Sequence, residues 1–202
     1  KDKESDLELE VDNQYIMSPK DLKTLDFLDK VLDAGVRVLK IEGRGRSPEY
    51  VKVVTRVYRQ AVDAWLNGEW SSEKLEQWNK DLSSVYNRGF WDGYYLGQKV
   101  GEWSKGYGSQ ATTKKTFVGT VTNYFKNIGV AEIKIETGNL TVGDRIYIMG
   151  TTTGVYEDTL EEIRVDLKTT DKANKGEFCS IPTKSLIRRG DKVYVIEDII
   201  PE

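Results

Sequence analysis

The sequence predicts an α+β chain in two parts, an N-terminal α/β segment with helices followed by a small C-terminal β-barrel. Three observations predict it. Apolar residues recur at helical spacing, with one short β-rich run among them, up to about residue 97; the patterning is all-β after Lys114; and a Gly/Ser-rich stretch separates the two. A length of 202 residues suits two small domains, and 31% charged with 38% hydrophobic residues excludes fibrous and disordered classes.

The first residues alternate, with Leu7, Leu9 and Val11 on one side and Glu8, Glu10 and Asp12 on the other, the pattern of a half-buried strand. Ser18-Pro19-Lys20-Asp21 then reads as a helix start, with Ser18 as N-cap, Pro19 in the first turn and Asp21 favouring the dipole. Leu22, Leu25, Leu28, Val31 and Leu32 keep helical spacing, and Gly35 ends the helix. Val36 to Ile41 reads as a strand, Glu42 to Arg46 as its loop, and Ser47-Pro48-Glu49 as the cap of a second helix reaching about Asn67 and stopping at Gly68. Helix, strand, loop and helix form a fragment of an α/β repeat, and one such unit cannot close a sheet. With Lys1 in place of an initiator Met, the expectation is a C-terminal fragment.

From Ser71 to about Gly97 the spacing is again helical, with Leu75, Trp78, Leu82 and Val85 on one face. The five tryptophans, at 65, 70, 78, 91 and 103, suggest an aromatic hub, and Gly97 to Gly108 reads as a linker. After it come six β-rich runs: Thr116–Tyr124, Ala131–Ile135, Asp144–Met149, Tyr156–Val165, Phe178–Ile181 and Lys192–Ile196. Closing them into a barrel would remove exposed edges.

Zero histidines exclude Ser-His-Asp and Cys-His hydrolysis and the usual His-bearing zinc sites from this chain alone. One cysteine, Cys179, forms no internal disulfide and holds no cluster unaided; with neighbours Phe178 and Ile181 it reads as core. A cytoplasmic setting follows as the expectation, with no metal or cofactor bound by this chain and no membrane partner, because no apolar run reaches about 18–20 residues.

Leu39-Lys40-Ile41-Glu42-Gly43-Arg44, followed by Ser47-Pro48-Glu49-Tyr50-Val51 and Tyr58-Arg59, resembles the peptidase U32 family of collagenase-like proteases. Ser18-Pro19-Lys20-Asp21-Leu22 and Asn87-Arg88-Gly89-Phe90 with Gly93 extend the resemblance. Residues 114–198, with Gly119, Gly129, Leu140, Gly143-Asp144 and Gly190-Asp191, resemble the family's C-terminal barrel, itself similar to domain 2 of elongation factors. The resemblance implies a parent with a TIM-like barrel, of which residues 1–67 are the last portion, 68–113 a helical connector and 114–202 the C-terminal barrel. Several family members resemble RNA-modifying enzymes, hydroxylating tRNA or rRNA, and carry iron-sulfur cysteines upstream of the matched region. The implied partners are therefore RNA and the rest of the parent chain, with an iron-sulfur cluster expected only in the full-length parent; a collagenase-like peptidase and a stand-alone binding module are the alternative readings.

Alternation along the third segment places Lys40 and Glu42 on one face near the strand's carboxyl end, where α/β barrels gather their active sites. Such a pair can orient an anion or move a proton, or be an ordinary ion pair. With Arg44 it forms the catalytic candidate, Arg46 joining as an anion-binding fork. In the second helix Val51, Val54, Tyr58, Val62 and Trp65 mark an apolar stripe, with Lys52, Arg56 and Arg59 beside it as an RNA-tracking or merely solvated face. Arg88, Lys184, Arg188 and Arg189 complete the RNA- or anion-binding candidates. Phe90, Trp91, Tyr94 and Tyr95 either stack bases or pack domains. Residues 112–202 carry 13 Lys/Arg against 14 Asp/Glu, so that part is not basic overall.

Overall fold

The computed structural model describes residues 19–97, 102, 104 and 108–199. The alternating run at 7–12, the Ser18 cap and Trp103 lie outside the described residues. The chain divides into two compact units, Lys1–Arg46 with Val53–Ala111, and Ser47–Lys52 with Thr112–Glu202.

In the first unit the segment predicted to open a helix is extended. Strand β1 (Asp21–Leu22) pairs in parallel with β2 (Phe90–Trp91), Asp21 opposite Phe90. Long-range bonds explain the correction: the Asp21 N–H donates to Gly89 O at 2.8 Å, and the Lys23 N–H to Trp91 O at 2.9 Å. The helix starts only with a 3₁₀ turn, Leu25–Phe27, leading into α1 (Leu28–Asp33). Its end is as expected. Gly35 has φ +94°, its N–H bonds Leu32 O, and the Val36 N–H reaches Val31 O, a Schellman cap.

The predicted strand at 36–41 is absent: residues 36–43 take no regular structure, and Val38 is 84% exposed. A strand exists by pairing, and no strand among the described residues pairs with this one.

Helix α2 (Pro48–Leu66) follows, ending at Gly68 (φ +69°), and α3 (Ser72–Ser84) is N-capped by Ser71 Oγ, which accepts from the Lys74 N–H. On α2 the buried face is Val53, Val54, Val57, Ala61 and Ala64. The predicted stripe was rotated because Tyr58 and Trp65 sit at its border: Tyr58 Oη accepts from the Thr24 N–H, and Trp65 Nε1 donates to Asp33. Trp78, Leu82 and Val85 are buried as the spacing predicts, but α3 stops at Ser84, short of Gly97. Asn87 turns the chain there, its Nδ2 donating to Val85 O and its Oδ1 accepting from the Gly89 N–H. The described tryptophans form no single hub; Trp70 packs edge-on against Trp78, and Trp91 against Tyr94. In the predicted linker, Ser104 is fully buried and Glu102 O accepts from the Lys20 N–H.

The second unit holds β3 (Thr113–Phe125), β4 (Val130–Ile135), β5 (Asn139–Thr141), β6 (Arg145–Gly150), β7 (Gly154–Thr159), β8 (Ile163–Val165), β9 (Lys168–Thr170), β10 (Lys172–Asn174), β11 (Phe178–Pro182) and β12 (Lys192–Asp198). Eight of them form one sheet in the order β7-β6-β12-β3-β4-β11-β8-β9, and β5 pairs with β10 separately. The sheet is open, which corrects the expected closed barrel. It nevertheless wraps one core: Ile146 and Tyr156 from one side share a cluster with Ile133, Ile163 and Ile181 from the other. Two register shifts, at Val193/Tyr194 against β3 and at Val121/Asn123 against β4, supply curvature. Gly119 lies between them, where a Cβ would fall 2.2 Å from Lys134 O. The run predicted as one strand from Tyr156 to Val165 breaks into β7 and β8 at Leu160, whose N–H turns back to Asp144 O.

Candidate functional site

Where the sheet does not close, side chains bridge the gap. Tyr156 on β7 is 8% exposed; its hydroxyl accepts from the Lys184 N–H just beyond β11 at 3.1 Å and donates to Asp158 Oδ2 at 2.5 Å. Asp158 Oδ1 in turn receives Lys184 Nζ at 2.8 Å. These groups line a groove of about 150 Å³ with Ile146, Leu160 and Pro182 on its apolar side and Glu161 and Glu162 at its rim.

Electrostatics lock this trio. Burial, helped by the Asp158 carboxylate, pushes the Tyr156 hydroxyl up to about 12. Burial opposes ionisation of Asp158, yet hydrogen bonds from Lys184, Tyr156 and the Thr159 N–H hold it below the usual carboxylate range. The same carboxylate raises Lys184. Tyr156 is thus a protonated donor and Asp158 an ionised acceptor, an arrangement that fixes structure and binds polar groups. Among the predicted residues only Lys184 belongs to it. Tyr156 read as plain strand; its signal was a tyrosine two residues from an aspartate on one strand face.

The catalytic candidates are placed differently. Lys40, Glu42 and Arg44 are exposed, so the Lys–Glu pair is not buried, and Glu42 Oε1 accepts the Arg44 N–H at 2.7 Å, closing a local turn. Arg46 ion-pairs with Asp21 Oδ1 and lies over the Tyr86 ring at 4.6 Å, while Asp21 Oδ2 accepts the Arg88 N–H at 2.9 Å. These three tie β1 to the loop before α2. The helix cations are matched by carboxylates: Lys52 with Glu157, Arg56 with Asp81, and Arg59 with Asp63. Each of these cations thus has a carboxylate neighbour at the surface.

Near the start of β12 the predicted cations part company. Asp191, 6% exposed, accepts from the Arg188 N–H and from Thr153 Oγ1, and Arg188 Nη1 reaches that same hydroxyl. The Arg188–Asp191 turn is therefore rigid. Arg189 stands exposed on it, with no carboxylate partner among the described residues.

Cys179 is buried in the sheet core, where desolvation pushes its thiol up to about 12, so it is no nucleophile at neutral pH. No group of three His, Cys, Asp or Glu residues among those described could hold a metal ion. An iron-sulfur cluster, which needs several thiolates, does not fit the residues of this chain. No described helix is long and apolar enough to cross a membrane.

Tyr94 and Tyr95 are 63% and 65% exposed, whereas Phe90 and Trp91 are half-buried in β2.

Comparison with known proteins gives consistent relatives. A collagenase of Porphyromonas gingivalis (strain ATCC BAA-308 / W83) is 56% identical over 194 residues, 96% of this chain and 47% of that protein. The tRNA hydroxylation protein P1 of Bacillus subtilis (strain 168) is 31% identical over 160 residues, 76% of this chain and 36% of that protein. The C-terminal domain of a Geobacillus thermoleovorans U32 peptidase aligns with a TM-score of 0.37 at 18% identity, over 39% of this chain and 96% of that one. The chain spans about half the length of the first curated relatives it matches. The model of the family described as Peptidase family U32 matches residues 1–105, more than half of the sequence, and the chain belongs to that family.

Proposed function

We propose that this chain is the C-terminal region of an RNA-modifying U32 protein, one that hydroxylates tRNA or rRNA, and that its β-rich unit docks the RNA. In this reading residues 1–67 complete the parent's catalytic α/β barrel, 68–113 connect, and 114–202 dock. Residues 36–42 then gain neighbouring strands, and Lys40, Glu42 and Arg44 come to the carboxyl end of the strand so formed. Relatives named as tRNA hydroxylation proteins support the reading.

The observation that carries it is the contrast among cations. Those on α2 are paired with carboxylates, while Arg189 is held out on a rigid turn with none among the described residues. A fixed, uncompensated guanidinium suits a phosphate. The test is tRNA binding by the 202-residue chain across a salt series. We expect binding that weakens with salt, and an Arg189→Glu variant that weakens it about tenfold and flattens the salt slope by about 1. Binding unaffected by salt or by that substitution overturns the reading.

A second reading, a collagenase-like peptidase, is favoured by the 56% identity to a protein named collagenase. Peptide release from gelatin by the full-length protein, lost on Glu42→Gln, would support it in place of RNA docking.

A further inference from the structure

The outer face of the β-rich sheet carries a row of side chains that the core does not use. Lys192 on β12 pairs in register with Thr120 on β3, Thr120 with Lys134 on β4, and Lys134 with Phe178 on β11. Their inward neighbours Val193, Val121, Ile133 and Cys179 are buried, so these four point outward. Phe178 is 50% exposed in mid-sheet, with Lys134 Nζ 5.8 Å from its ring centroid. Lys192 Nζ donates to Thr120 Oγ1 at 2.8 Å and lies 5.6 Å from the Phe117 ring. A second phenylalanine, Phe125, is 42% exposed on the same face; it pairs with Val130, which also pairs with Pro182, four residues (~13 Å) along β11 from Phe178.

Register, with charge, marks this row. Lys52, Lys114, Lys115, Arg145, Arg164 and Lys184 all sit on carboxylates, whereas Lys134 and Lys192, like Lys126, Lys168, Lys172, Lys175 and Arg189, have none among the described residues; these two alone are aligned in register with Phe178 across one sheet face. The two flank β3 and stand ~10 Å apart. A half-exposed aromatic ring beside one unpaired cation and in line with a second three strands away fits a ligand with a flat π-face and an extended polyanionic backbone. Duplex nucleic acid offers phosphates but hides its base faces, and the carboxylate side chains of an acidic peptide carry no flat ring of their own for Phe178. Resting on the RNA-docking reading above, we infer that this face binds an unpaired RNA segment, with a base stacked on Phe178 and phosphates held by Lys134 and Lys192. A stacked base displaces Lys134 Nζ from the ring toward the neighbouring phosphate.

The test uses the 202-residue chain and a fluorescein-labelled 12-nucleotide oligouridylate, with a 12-base-pair RNA duplex and poly-glutamate as competitors. Phe178→Ala is expected to weaken oligonucleotide binding about 5- to 100-fold, with Phe178→Tyr restoring it. Lys134→Ala with Lys192→Ala should lower the log–log salt slope by about 1.4, the counterions of two phosphates on a single strand. All three side chains are exposed, and circular dichroism checks that the variants keep their fold. Affinity within twofold after Phe178→Ala, an unchanged salt slope, or competition by the duplex or poly-glutamate as strong as by unlabelled oligouridylate overturns the inference. If tRNA binding persists and stays sensitive to Arg189→Glu while the oligonucleotide is ignored, only this inference falls; if tRNA does not bind either, the docking reading falls with it.

Discussion

The two units reach stability by different routes. In the β-rich unit one apolar cluster runs through nearly every strand, and backbone groups are satisfied by a continuous ladder of eight strands. The first unit buries short helical faces, Leu25, Leu28 and Leu32 with Val57, Ala61, Trp78 and Leu82, and among the described residues its sheet is a pair of two-residue strands. It also leaves a β-branched run, 36–41, outside any ladder. The difference shows that a segment's strand-forming character and its being a strand are separate facts: the second needs a neighbour.

The comparison breaks most sharply at Gly119. A Cβ there meets the Lys134 carbonyl, so Gly119→Ala has to part β3 from β4 and should cost the β-rich unit about 3 kcal/mol. Urea unfolding followed by near-UV signals from Tyr147 and Tyr194 would show it, while α2 and α3 keep their helical circular dichroism. A single transition that shifts as a whole would show the two routes to be one.

Next in size is the Tyr156 clamp. Tyr156→Phe removes a buried hydroxyl that serves two partners and should cost about 1–2 kcal/mol. It also has a pH signature. Burial pushes the folded hydroxyl up to about 12 against 10.0 for an ordinary tyrosine, so between these values the folded state binds the extra proton. Stability from this group is therefore complete below pH 10 and is lost as pH rises from 10 to 12. Melting curves across that window should fall more steeply for the native chain than for Tyr156→Phe; parallel curves would contradict it.

A gain is expected at the β8–β9 hairpin. Asp166 and Leu167 both have positive φ, 50° and 64°, the conformation of a type I′ turn, and Leu167 is 89% exposed. Leu167→Gly should raise stability by about 1 kcal/mol, read as a higher denaturation midpoint. The smallest effect belongs to Arg59→Ala. Its partner Asp63 is one helical turn away and both are more than half exposed, so the change should stay within about 0.5 kcal/mol in thermal melts.

Much of the β-rich unit was legible because long alternating runs such as Thr116–Tyr124 and Ala131–Ile135 carry their own period. The three-residue strands β5, β9 and β10 were not, since so few residues cannot establish one. Ser18-Pro19-Lys20-Asp21 has the chemistry of a helix start, but the Asp21 carboxylate serves Arg46 and the Arg88 N–H, partners remote in sequence. Of the site candidates, Lys184 and the Arg188–Arg189 turn could be picked out as charge. Their division into anchored and free cations depended on Asp158, Asp191 and Thr153, which only folding brings near. Phe178 was read as a strand residue beside a core cysteine; that it faces outward follows from register, since Cys179 takes the inward position.

The gap in the sheet has a colloidal consequence. An unclosed ladder ends in bare backbone donors and acceptors, which invite strand addition from another molecule. At one end β9 is only three residues long and begins with Lys168, too brief and too charged to template a long run. At the other, β7 is six residues long, and the Tyr156–Asp158–Lys184 bridge tethers it to the segment after β11. Releasing that tether would turn an intramolecular seam into a nucleation point for self-association, so resistance to aggregation at high concentration should track the clamp more closely than it tracks the size of the core.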